Sequence, residues 1–229
     1  MPVYYPEDYS IIMGLVDLIP VILFALAGCI LIKELFNRLK KPFAVMLCSG
    51  VTLSLTAGVL KALWKILLSA NVCDFYPFNY MFMPTQALGL VLMGVGLISL
   101  FFEKKEKQGL KASAISLPVL FLVLAEAATP EDGNIIFIAM LVIGELMIAA
   151  SLSYVAIKNK QWIPFVLFII YAIALIIMGA MKPLSTKLSL TVTQSNWIEE
   201  AINIVAQGSI LVGSYLLMKK NCFNSKENS

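Results

Sequence analysis

The stretch PFAVMLCSGVTLSLTAGVLK, residues 42–61, and its counterpart PFVLFIIYAIALIIMGAMK, residues 164–182, decide how this chain is read. Each opens on Pro-Phe, runs apolar for about five helical turns, and closes on a glycine with a lysine three residues later. The closing pairs are Gly58 with Lys61, and Gly179 with Lys182. Asn79-Tyr80 opens the run after the first stretch, with Gln86 seven residues on. Asn196-Trp197 opens the run after the second, with Asn203 seven residues on. The first copy carries one extra residue between its Pro-Phe pair and its glycine. The chain therefore reads as an internal duplication, whose shared polar positions are expected to meet across a pseudo-symmetric centre.

Composition sets the class. Of 229 residues, 60% are hydrophobic and 14% are charged. The apolar residues fall in runs of about twenty, enough to cross roughly 30 Å of hydrocarbon at about 1.5 Å per residue. An all-α integral membrane protein follows, a single transmembrane domain over 1–229 with no room for a soluble domain beside it. The net charge of +3 sits in short loops rather than on one folded basic face, so no nucleic-acid partner is expected. Membrane lipids and a small-molecule solute are the expected partners.

Seven transmembrane spans are expected. The first ten residues carry Glu7 and Asp8 and lack the basic start of a signal peptide, so the first apolar run should stay in the mature protein. That run covers about 11–35 and contains Asp17 and Pro20, where a missing backbone hydrogen bond should kink the helix. Further spans follow at about 42–69, 79–102, 110–128, 134–157, 162–181 and 196–218. Thr129-Pro130-Glu131-Asp132-Gly133 marks a turn before the fifth. The first, third and fifth loops and the tail hold thirteen of the seventeen basic residues; Lys61, Lys65, Lys182 and Lys187 are the other four. Cytoplasmic loops keep the excess of Lys and Arg, so the amino terminus is expected outside and the carboxyl terminus inside, in a plasma membrane of bacterial type.

The repeat then covers about 11–102 and 134–218, parallel in sense, with the fourth span at 110–128 as an inverting linker. This three-plus-one-plus-three plan resembles that of SWEET sugar transporters, PQ-loop proteins and PnuC vitamin transporters. The resemblance is one of organisation. A proline-glutamine signature opening a helix is absent, and of the SWEET hinge prolines only Pro20, Pro42 and Pro164 have matches, the fifth span having none. SWEET-type proteins place polar residues of their third and seventh helices at a central site, which implies such a place for Gln86 and Asn203. The last helix also resembles that of lysoplasmalogenase-type membrane proteins, through Lys187 and Ala206-Gln207. That family's catalytic acids would fall near Gly58 and Gly179, where this chain has no carboxylate.

Ionisable residues inside the spans point to a site, because each costs roughly 2.5–3.5 kcal/mol to insert. Glu145 lies roughly 16 Å down the fifth span, near the midplane, beyond the reach of snorkelling. It reads either as a protonated or hydrogen-bonded packing group or as a proton-coupling group. Asp17, roughly 10 Å deep, reads as a proton carrier or the ion-pair partner of a lysine. Lys61 and Lys182 match across the repeat, run against the positive-inside bias, and suit an anion or carboxylate contact; snorkelling to outer headgroups is the bland alternative. Lys65 lies one turn beyond Lys61 on the same face. Gln86 and Asn203 sit at equivalent depths with Gln207 one turn below Asn203; such amides bond across helices or orient a neutral polar solute. Glu199 and Glu200, one turn into the last span, read as solvated at the interface.

Other chemistries drop out. With no histidine, the usual catalytic triad, His-ligated haem and most zinc sites are gone, and no cofactor is expected. Cys73 alone lies in an outer segment, so no disulfide is expected. The lead expectation is a transporter of a small polar or anionic solute, with Lys61, Gln86, Lys182, Asn203 and Gln207 binding it and Asp17 and Glu145 coupling protons or pairing ions. The rivals are a membrane-embedded lipid hydrolase and a sensor or accessory subunit.

Overall fold

A computed structural model describes residues 9–101 and 134–223. These residues are 85% helical and contain no strand. Six helical stretches among them are long and apolar enough to cross a membrane, the make-up of a multi-pass membrane protein. Their surfaces invert the pattern of a soluble bundle: Ile22, Ile163, Ile173 and Val205 are all more than half exposed, as side chains facing lipid would be. Exposed hydroxyls on such a surface must bond internally. Thr52 and Thr56 accordingly donate to the carbonyls of Cys48 and Thr52 at 2.9 Å.

The helices are α1 (Ile11–Val16), α2 (Leu18–Leu35), α3 (Lys41–Ser69), α4 (Tyr76–Tyr80), α5 (Phe82–Ile98), α6 (Asn134–Lys158), α7 (Trp162–Gly179), α8 (Met181–Lys187) and α9 (Val192–Lys219), with a 3₁₀ turn at Ser99–Phe101. Three breaks share one cause. Pro20, Pro84 and Pro183 have no N–H to donate to the carbonyl four residues back, and their rings crowd it. Those carbonyls belong to Val16, Tyr80 and Gly179, the last residues of α1, α4 and α7. The first span is thus interrupted at Asp17. The expected third span divides at Met81, and the expected sixth ends two residues early. Proline is tolerated where it costs nothing, in the first turns of α3, α4 and α7.

The last span begins at Val192 rather than at Asn196. Thr191 forms a capping box with Gln194: the Gln194 N–H donates to Thr191 Oγ1 at 3.2 Å, and the Thr191 N–H donates to Gln194 Oε1 at 3.0 Å. Two helix-end donors are thereby satisfied. The expected fourth span at 110–128 lies outside the described residues.

The long helices close into a ring. α2 packs on α3, α3 on α5, α5 on α6, α6 on α7, α7 on α9, and α9 back on α2. Glycines let α3 and α5 touch backbone to backbone: a Cβ added at Gly50 would lie 2.6 Å from the Gly89 carbonyl oxygen and against the Met93 amide. Such close approach compensates for the absence of a hydrophobic drive between helices in lipid. α5 and α6 run side by side in the same direction, with Gly144 against Leu90, Gly94 against Met147, and the Phe101 and Tyr154 rings 4.6 Å apart. Gly208 in α9 makes no such close approach, since a Cβ there meets nothing within 4 Å among the described residues.

Candidate functional site

Inside the ring, at the end where Asp17 interrupts the first span, lies a cavity of about 100 Å³. That volume holds several waters or one small solute. Every long helix contributes to its wall. The first span supplies Asp17 and Phe24, α3 supplies Ser54 and Lys61, and α5 supplies Phe82 and Gln86. Glu145 comes from α6, Met178 from α7, and Glu199, Glu200, Asn203 and Gln207 from α9. Six of the seven residues expected to form the site therefore share one wall: Asp17, Lys61, Gln86, Glu145, Asn203 and Gln207. Lys182 lies in α8, and its side chain is outside what the structure describes.

One edge of the cavity is an ion cluster. Lys65 Nζ lies 2.6 Å from Asp17 Oδ2 and 3.0 Å from Glu200 Oε1, and all three residues are buried. The cluster joins the first span, α3 and α9, so it pins the ring where its first and last helices meet. Glu200 is thereby not an interfacial acid. The capping box starts α9 four residues early, and this places Glu200 two turns inside the bundle against α3. Lys65 is held in place by its neighbour: Trp64 is 1% exposed and its Nε1 donates to Asp74 Oδ1 at 2.8 Å, anchoring the end of α3 to the following loop.

Lys61, one turn before Lys65, makes no ion pair among the described residues. Its Nζ sits 4.2 Å from the centroid of the Phe82 ring, a cation–π contact. On α9, the Gln207 amide donates to Asn203 Oδ1 at 3.3 Å, and the Ser195 hydroxyl donates to Glu199 Oε1 at 3.3 Å. Four buried polar atoms of the wall have no protein partner: Asp17 Oδ1, Ser54 Oγ, Gln86 Oε1 and Gln207 Oε1. Buried polar groups are normally paired, and each unpaired one costs about 1–3 kcal/mol unless water or a ligand completes it.

Comparison of the chain with protein-family models, curated proteins and solved structures finds no match. The site must therefore be read from its own chemistry. It offers unpaired acceptors, four carboxyls and, among the described residues, one lining cation in a half-open cavity of mixed polar and apolar walls. Among the described residues no three of His, Cys, Asp or Glu are grouped to hold a metal.

Sequence reasoning by itself omitted Ser54, Glu199 and Glu200 from the site, and set Lys65 beside it. A signal existed for the acid: Glu200, Asn203 and Gln207 follow at i, i+3 and i+7 on one helical face. No comparable signal links residues 17, 65 and 200. Ring closure brings them together.

Proposed function

We propose that the chain is a seven-span membrane transporter of a small polar solute, held in the cavity between two three-helix halves. The observation that carries this reading is the convergence of polar side chains from all the long helices on one cavity, four of whose buried polar atoms lack protein partners. Bundle packing alone asks for no such convergence, because polar groups inside a membrane are costly and a packing role is met by pairing them.

The order of the ring supports a parallel repeat. If the halves are repeats, a half-turn about the ring axis would exchange α2, α3 and α5 with α6, α7 and α9, and Gln86 and Asn203, both of the cavity wall, would be equivalent. The parallel run of α5 and α6 is what an inverting span between the two halves would produce. Lys33, Arg38, Lys40, Lys41, Lys158, Lys160, Lys219 and Lys220 gather at the end away from the cavity, which supports an outward-facing cavity and an outer amino terminus in a bacterial-type plasma membrane. Rocking of the halves would then open the cavity to either side, with the proline breaks at Asp17, Met81 and Ala180 as hinges at its mouth.

A lipid hydrolase is the weaker reading. It needs a free acid–base pair around one water; Asp17 and Glu200 share a single ammonium, which leaves that pair to Glu145 and Glu199. The test is uptake by proteoliposomes of compounds that stabilise the purified protein, in parallel with assays of lysolipid breakdown. Uptake that falls in Asn203→Ala supports transport. Lysolipid consumption without uptake would replace it with the enzyme.

A further inference from the structure

We infer that the solute this cavity takes is a donor-rich organic cation, a protonated amine or a guanidine; the inference rests on the reading of the cavity as a solute site. Two independent features of the wall carry it, its charge balance and its unmet hydrogen bonds.

The described lining is acidic. Among the described residues, Asp17, Glu145, Glu199 and Glu200 line the cavity against a single lining ammonium, that of Lys61. Lys65 adds a second from behind, spent on Asp17 and Glu200 together. Four carboxyls against two ammoniums leave the described wall negative until two of the carboxyls carry protons. An entering anion would deepen that imbalance in a setting of low dielectric, and an entering cation cancels it. The matched-lysine argument for an anion also loses half its basis, since Lys61 rests on the Phe82 ring, whose π face compensates part of its charge.

The unmet hydrogen bonds are nearly all acceptors. Gln86 Oε1 and Gln207 Oε1 can only accept, Asp17 Oδ1 accepts while its carboxyl is ionised, and Ser54 Oγ can do either. Asp17 is 6% exposed, so this acceptor cannot be left to bulk water. A carboxylate or phosphate brings no donors to these atoms. A primary ammonium brings three N–H groups and a guanidinium five. A quaternary ammonium brings charge without donors, which separates the two conditions. The same acceptors would suit an alkali ion, so sodium is an outcome the experiment must read.

The test is thermal unfolding and equilibrium binding of the detergent-purified full chain at fixed ionic strength. The probes are cadaverine, agmatine, tetramethylammonium, glutarate, glucose and sodium chloride. Cadaverine or agmatine should raise the melting temperature in a saturable way, with no saturable shift from the other four. Gln207→Ala and Gln86→Ala should each weaken binding about tenfold, the loss of roughly one charge-assisted hydrogen bond. These variants leave the ion cluster intact, so they carry the test even where Asp17→Asn fails to fold. Wild-type-specific stabilisation by glutarate or glucose would overturn the cation while sparing the solute site. Tetramethylammonium binding as well as cadaverine would overturn the donor requirement, and a saturable sodium effect alone would replace the amine with a metal ion. Binding of none of the six would overturn both the inference and the reading beneath it.

Discussion

Replacing Lys65 with methionine tests the ion cluster most sharply. The substitution keeps most of the side-chain volume and deletes one ammonium that serves two buried carboxylates, at 2.6 and 3.0 Å. Removing one partner of a buried pair costs about 3–5 kcal/mol, because the other charge is left uncompensated. Here two are left, and both lie within reach of one point. Their mutual repulsion adds to this cost, offset where one carboxyl takes up a proton. A net loss of about 3–5 kcal/mol is expected, read as reversible unfolding in mixed detergent micelles. The triple variant Asp17→Asn, Lys65→Met, Glu200→Gln should recover at least half of it, since neutralising a whole buried ion set is often close to neutral. A Lys65→Met protein within about 1 kcal/mol of wild type, with no gain from the triple change, would refute the view that this cluster pins the ring.

Other expectations follow from the same geometry. Gly50→Ala forces a methyl against the Gly89 carbonyl and the Met93 amide and should cost about 1–3 kcal/mol in the same assay, whereas Gly208→Ala should be neutral or gain up to about 1 kcal/mol. Thr191→Ala removes the capping box of α9 and should cost about 1 kcal/mol, without altering binding in the cavity. Cys73 is exposed in the loop after α3, so a membrane-impermeant maleimide should label it on intact cells; labelling only after lysis would reverse the proposed orientation.

Much of this molecule can be read from its residues. Apolar runs dominate the energetics of insertion, so existence and type of the long helices follow from length alone, as at Lys41–Ser69. The boundaries fail where a local rule overrides the run. Hydropathy continues across Pro84 and Pro183, yet each breaks the helix four residues back, as Pro20 does at Val16. The last span fails in the other direction: its capping box extends it through polar residues that a hydropathy reading assigns to a loop. The site divides in the same way. Gln86, Asn203 and Gln207 are legible because helical spacing puts them on faces, and Asp17 and Glu145 because charge at depth needs a reason. That Asp17 would pair with a lysine was legible; that the lysine is Lys65 and that Glu200 shares it was not, because this depends on α9 closing against the first span and α3, a tertiary fact that no local pattern encodes.

The central claim is that the cavity opens to both sides of the membrane in turn. Asn203→Cys, in a chain whose Cys29, Cys48, Cys73 and Cys222 are replaced by serine, puts a single thiol on the cavity wall. Reconstituted in oriented liposomes, it can be challenged with an impermeant thiol reagent from either face. The account predicts labelling from both faces, each slowed by the compound that stabilises the protein. Labelling from one face alone, unaffected by any bound compound, would contradict it.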